Sequence, residues 1–134
     1  MNVLTAEAMD LDLTRLAREV SEKLVKYEVP PRSGREVGYP LPDDWFASRL
    51  AAMNAALVAP YWTNMRDGDP KTDMLVVRHV VVVADEHGSL VAFDPSGEGT
   101  FVLALRDSDP DRDRGVDVVS CGVRGEAVDC FLSA

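Results

Sequence analysis

The chain has 134 residues, and its 23 acidic side chains outnumber its 14 basic ones to give a formal net charge of -9. A field of that sign repels phosphate backbones and anionic lipids, so the composition argues against nucleic-acid binding and against binding at a membrane surface. The hydrophobic fraction of 46% is ordinary for a globular protein, and the length fits one core. We therefore interpret residues 1–134 as a single domain.

Segments that would direct the chain to a membrane are not apparent in the sequence. The first ten residues, MNVLTAEAMD, contain no Lys or Arg of the kind that begins a signal peptide. No apolar run approaches the ~18 residues that a membrane-spanning helix needs. The two cysteines, Cys121 and Cys130, are too few for a disulfide scaffold. We expect a cytoplasmic protein.

The first half of the chain has helical periodicity. Residues 6–26 and residues 42–59 each carry apolar side chains at spacings of three and four, which predicts two amphipathic helices. The apolar stripe of the first helix is Leu13, Leu16, Ala17, Val20 and Leu24. The stripe of the second helix is Phe46, Leu50, Met53 and Leu57. Pro30 ends the first helix and Pro60 ends the second, because proline cannot continue a helix.

The period changes near Asp69-Pro70, and the second half predicts strands closed by turns. The predicted strands are residues 75–84, 90–93, 101–105, 116–123 and 127–132, with a possible short one at 61–65. Residues 75–84, LVVRHVVVVA, predict a central strand covered on both faces. Short connections between consecutive strands favour an antiparallel meander. The predicted fold is α+β: two N-terminal helices packed on a C-terminal antiparallel β-meander of about five strands.

The periodicity also predicts the core. We expect the following side chains to be largely buried: Leu16, Val20, Leu24, Phe46, Leu50, Met53, Leu57, Val80, Val82, Phe101, Leu103, Val123 and Val128.

The last two predicted strands suggest a hairpin. Gly125 is the first residue of a two-residue loop between Arg124 and Ala127, a pattern typical of a type II′ turn. That register places Cys121 opposite Cys130, with Cα atoms about 4.5 Å apart. The pair is then either two buried reduced thiols or a redox-sensitive disulfide across the strands, and the sequence does not decide between them.

No catalytic or metal-binding set is evident, so an enzymatic role stays uncertain and no cofactor is expected. His79 and His87 share no metal-ligand spacing with each other or with the cysteines. The loop DSDPDRDRG starts like a calcium loop, but Arg112 stands where glycine is needed, and Val118 stands where the twelfth-position glutamate is needed.

Two loops are candidate partner-binding segments. One is acidic and carries Asp107, Asp109, Asp111 and Asp113. The other, residues 30–42, carries Arg32, Arg35 and Tyr39. A small acidic chain without a catalytic set is typical of an immunity-type or antitoxin-type inhibitor, which occludes a basic partner protein such as a toxin or an enzyme. We therefore hypothesise a non-catalytic protein-binding domain.

Two alternatives stay open. The chain is a structural or oligomerising module, with a homodimer possible, if an exposed sheet edge pairs with another chain. It is a small-molecule-binding or enzymatic domain if a cleft forms between the helices and the sheet near Trp62 and His79.

Overall fold

The computed structural model describes residues 12–29, 43–68, 75–96, 99–106 and 118–134. In chain order its elements are α1 (Leu13–Val25), α2 (Asp43–Ala56), β1 (Leu57–Gly68), β2 (Leu75–Glu86), β3 (Ser89–Asp94), β4 (Thr100–Arg106), β5 (Val118–Gly125) and α3 (Ala127–Leu132). Among the described residues, two helices thus precede a five-stranded antiparallel sheet, which confirms the α+β class.

Each strand of the sheet pairs antiparallel with the next one along the chain, as a meander requires. One further pairing was not predicted. The first and last strands run parallel to each other through the pairs Met65–Val118 and Arg66–Val119, and this contact closes the sheet into a barrel.

The interior of the barrel is filled by apolar side chains from all five strands, most of them valine or alanine. They alternate with outward-facing residues because successive side chains of a strand point to opposite faces. The interior cluster is Met65, Val80, Val82, Leu90, Ala92, Val102, Ala104 and Val118. Residues 80–84 of β2 are at most 2% exposed, so the predicted burial of this strand on both faces holds for its second half.

The helices α1, α2 and α3 cover part of the outer face of the barrel. Leu16, Val20 and Leu24 of α1 are buried there, as their spacing predicts, and they share a cluster with Val81 and Val83 of β2. Four further predicted core residues are only half-buried against the same cluster: Leu50, Leu57, Phe101 and Val123. The remaining predicted core residues are buried.

Two helix boundaries differ from the prediction. The side chain of Asp12 accepts a hydrogen bond from the backbone N–H of Arg15, so Asp12 caps α1 and the helix begins at Leu13 instead of residue 6. The second helix ends at Ala56, and Leu57 already belongs to β1. Pro60 is accommodated in that strand because the register shifts between Leu57 and Tyr61, where a missing N–H costs no ladder hydrogen bond.

The prediction of a C-terminal hairpin is wrong. Residues 127–132 form the helix α3, and its buried side chains Ala127, Val128, Cys130 and Phe131 have the spacing of a helical stripe. Cys121 is exposed on β5, whereas Cys130 is buried in α3, so the two cysteines are not neighbours across strands. Over six residues, an apolar alternation does not distinguish a strand from a short buried helix.

Candidate functional site

The partner-binding residues predicted from sequence lie outside the described residues. This holds for the acidic set Asp107, Asp109, Asp111 and Asp113 and for the basic and aromatic set Arg32, Arg35 and Tyr39. Both sets therefore remain predictions. Among the described residues we consider three candidate features: a charged cleft, an ionic layer and an aromatic stack.

The cleft lies between the second half of α1 and the start of α3 and has a volume of about 630 Å³. Its acidic lining residues are Glu19, Glu22, Glu28, Glu126 and Asp129, and its basic ones are Lys23 and Lys26. Five carboxylates against two ammonium groups leave the cleft with a net charge of about -3. The cleft is therefore suited to a cationic group.

The local sequence explains why the charges line the cleft. On α1 the positions 19, 22, 23 and 26 lie three or four residues apart, so their side chains form one polar stripe beside the apolar stripe. Lys23 spans the cleft and donates to Glu126 at 3.3 Å. Both of these side chains are 64% exposed, so this ion pair contributes little to stability and can exchange for another partner.

Tyr27 gives the cleft one neutral hydrogen-bonding group. Burial raises the pKa of its phenol, and the nearby carboxylate of Asp129 raises it further. The phenol therefore stays protonated at neutral pH and can donate a hydrogen bond.

The ionic layer closes one end of the barrel. Asp67 of β1, Arg78 of β2, Asp94 at the end of β3 and Arg124 of β5 each lie in phase with the interior residues of their strands. Arg78 donates to Asp67 at 2.8 Å, and Arg124 donates to Asp94 at 3.1 Å and also to Asp67. The layer holds two carboxylates and two guanidinium groups, so its charges cancel.

The carboxylates of this layer are more deeply buried than its guanidinium groups. The side chain of Asp94 is 2% exposed and that of Asp67 is 10% exposed, whereas both guanidinium side chains are 33% exposed. Burial raises the pKa of Asp67, but hydrogen bonds from Arg124 and Arg78 outweigh that effect, and the pKa lies below its ordinary value of 3.8. The burial of the carboxylates and the balanced charge are typical of an ion-pair network that stabilises the end of the barrel.

The aromatic stack is formed by Trp62 and His79 on the outer face of β1 and β2. Their rings lie 4.7 Å apart and nearly parallel, with 7° between the planes. Nδ1 of His79 lies 3.0 Å from Oδ1 of Asn64, which fixes the orientation of the imidazole. Within the part of the chain that the structure describes, no carboxylate or nucleophile bonds to this histidine, so no catalytic triad forms around it.

Neither a metal site nor a membrane-spanning helix is found among the described residues. No group of three His, Cys, Asp or Glu side chains there is placed to hold a metal ion. No helix in the described ranges has the length and apolar character needed to cross a membrane.

Comparison with known proteins does not add a function. No protein-family model, curated protein or solved structure matches the chain.

Proposed function

We propose that this chain is a non-catalytic protein-binding domain, most simply an acidic inhibitor of the immunity or antitoxin type that occludes a basic partner protein. The observation that carries the proposal is the cleft between α1 and α3, with its five carboxylates, on a chain whose net charge is -9. An acidic surface draws a basic partner into encounter and fixes the register of the complex.

The position of the carboxylates supports this role. Glu22, Glu28 and Asp129 are exposed, and no salt bridge is found for them within the described residues. Exposed carboxylates of this kind are available to a lysine or arginine side chain that enters the cleft. Charge-assisted hydrogen bonds formed there are roughly twice as strong as hydrogen bonds between neutral groups.

As part of the proposal, the chain acts in the cytoplasm on a protein such as a toxin or an enzyme. Both cysteines are free thiols, which suits a reducing compartment.

A second candidate function is small-molecule binding, because a volume of about 630 Å³ lies within the range of ligand pockets. The charged lining favours a protein partner, since small-molecule pockets are mostly apolar.

To test the proposal, the immobilised full chain is used to capture proteins from a lysate of the cells that produce it. The binding and the activity of any captured protein are then measured. We compare wild type with Glu22→Lys, and the matched control is Asp44→Lys, an equal charge reversal at an exposed position of α2. Circular dichroism establishes that both variants are folded.

The expected result is a captured basic protein that elutes with salt, is inhibited by the chain and binds Glu22→Lys at least about tenfold more weakly than Asp44→Lys. Equal binding by the two variants would remove the cleft from the interface. A chain that captures nothing and forms a symmetric dimer by sedimentation would instead support the oligomerising alternative.

A further inference from the structure

The barrel has a seam where β1 and β5 meet, and the backbone pairing of that seam ends early. The ladder stops at the pair Arg66–Val119. Both strands continue beyond this pair, β1 to Gly68 and β5 to Gly125. Residues 67–68 and 120–125 are described strand residues, but no backbone pair joins them, so the described β1–β5 ladder consists of two residue pairs.

Side chains connect β1 and β5 beyond their last backbone pair. Arg124 of β5 lies five positions beyond Val119 but its side chain reaches Asp67 of β1, and its other terminal nitrogen donates to Asp94 of β3 at 3.1 Å. Arg78 of β2 holds the same Asp67 from the other side at 2.8 Å. The ionic layer therefore connects four strands beyond the last backbone pair found between β1 and β5 in the described residues.

We propose that this layer, which we call the mouth clasp (Asp67, Arg78, Asp94 and Arg124), keeps the barrel shut at the end of the seam where backbone pairing stops. Loss of one carboxylate charge from the clasp lets β5 separate from β1 at the seam while the remaining sheet and the helices stay folded.

The groups around Asp67 explain why its charge is critical. Arg78 faces it from β2, Arg124 and Ser120 face it from β5, and Asp94 lies across the layer on β3. If Asp67 becomes neutral, one carboxylate remains for two guanidinium groups. An ion pair broken on one side leaves an uncompensated charge, and relief requires that the charge reach water. Both arginine side chains are 33% exposed, so an outward movement of β5 hydrates Arg124.

Opening is confined to the seam because the other edge of β5 is more firmly held. Its backbone pairs with β4 at five residues, Val118, Val119, Ser120, Arg124 and Gly125, with a register shift between Ser120 and Arg124, whereas only Val118 and Val119 are found paired with β1 among the described residues. The chain then enters α3, whose buried side chains belong to the outer core. Opening exposes the interior residues nearest the clasp, Met65, Val80 and Val118, which are at most 1% exposed in the closed barrel.

Amide hydrogen exchange on the full chain tests this mechanism, with Asp67→Asn as the variant. The matched control is Glu86→Gln, which removes one carboxylate from the mostly buried pair with Arg49, at the other end of β2 from Arg78. In Asp67→Asn we expect exchange at residues 65–68 and 118–121 to accelerate at least about tenfold relative to residues 80–83 and 90–92. The control should not show this selectivity.

Uniform acceleration across all strands, or no acceleration at the seam, would overturn the mechanism. If Asp67→Asn does not fold, wild type is followed from about pH 7 to about pH 3, with rates corrected for the intrinsic effect of pH on exchange. Selective loss of protection at the seam then supports the clasp. Loss of protection in all strands by the same factor refutes it.

Discussion

The guanidinium of Arg49 lies 4.6 Å from the centroid of the Phe131 ring, so a cation on α2 covers an aromatic ring of α3. The same guanidinium donates two hydrogen bonds to Glu86 at the end of β2, at 2.8 and 3.0 Å. One side chain therefore connects two helices with the sheet. The ion pair is about three-quarters buried, which places it between a surface salt bridge and a core contact.

We expect Arg49→Lys to lower the free energy of unfolding by about 1–3 kcal/mol, because lysine keeps the charge but loses the two-pronged hydrogen bonding and the flat stacking. The matched control is Arg15→Lys, since Arg15 pairs with Glu19 on the exposed side of α1. That change should cost about 0.5 kcal/mol or less. Urea denaturation measures both losses, and equal losses would contradict an anchoring role for Arg49.

Asp67 makes the stability of the fold sensitive to acid. Burial raises its pKa, hydrogen bonds from Arg124 and Arg78 lower it more strongly, and the result lies below 3.8. A carboxyl group whose pKa is depressed by folding contributes stability that is present above its unfolded pKa and is lost as pH falls through the folded value. We expect the free energy of unfolding to hold from about pH 7 to about pH 5 and to fall below about pH 4.

The variant Asp67→Asn isolates this contribution. It should be less stable than wild type at neutral pH and should lose less additional stability on acidification. Some acid sensitivity will persist, because the hydrogen bond from Arg49 lowers the pKa of Glu86 as well. Urea titrations at each pH measure the slope. An unchanged acid slope in the variant would assign the effect to other carboxyl groups.

The cysteines should differ sharply in reactivity. Burial raises the pKa of the Cys130 thiol to about 11, with a further contribution from Asp129, and Cys130 is 1% exposed. Cys121 is exposed. We expect iodoacetamide to label Cys121 in the native chain and to label Cys130 only after unfolding, as measured by mass spectrometry. A native chain labelled at both positions, or an oxidised chain with an internal disulfide, would contradict these positions.

Long periodic segments of the fold could be predicted from the sequence, and short ones could not. The apolar stripe of α1 and the valine-rich run of β2 each extend over enough residues to fix their period. Residues 127–132 are too few to do so, and Gly125 resembles a hairpin residue, although its φ of 154° leads into a helix. The closure of the barrel depends on the long-range pairs Met65–Val118 and Arg66–Val119, which have no local signal.

The candidate site was visible in the sequence only in part. The charged stripe of α1 follows from its helical spacing. The opposite wall of the cleft is distant in sequence, since Glu126 lies 103 positions after Lys23, and the neighbouring residues 127–132 are predicted as a strand. The mouth clasp has a recognisable signal: Asp67 and Arg78 each stand two positions from an interior residue, Met65 and Val80. An ionised residue continuing an inward-facing row predicts a polar end to the barrel.

The acidic loop remains the alternative contact surface, and reversing its charge tests it. Because Asp109 and Asp111 belong to the densest run of carboxylates in the chain, a basic partner should feel their field before contact. Such steering weakens as salt screens charges beyond a Debye length of roughly 10 Å. We expect Asp109→Lys with Asp111→Lys to slow association with the captured partner by about tenfold at low salt, measured by stopped flow.

The salt dependence and a second double variant show which surface carries the contact. The difference between wild type and the loop variant should shrink at high salt, since screening removes steering while short-range contacts persist. Glu22→Lys with Glu28→Lys makes the same charge change in the cleft between α1 and α3. If the cleft variant dissociates faster while the loop variant only associates more slowly, the cleft forms the bound interface and the loop attracts the partner toward it. If the loop variant associates at the wild-type rate at low salt, the loop has no part in binding.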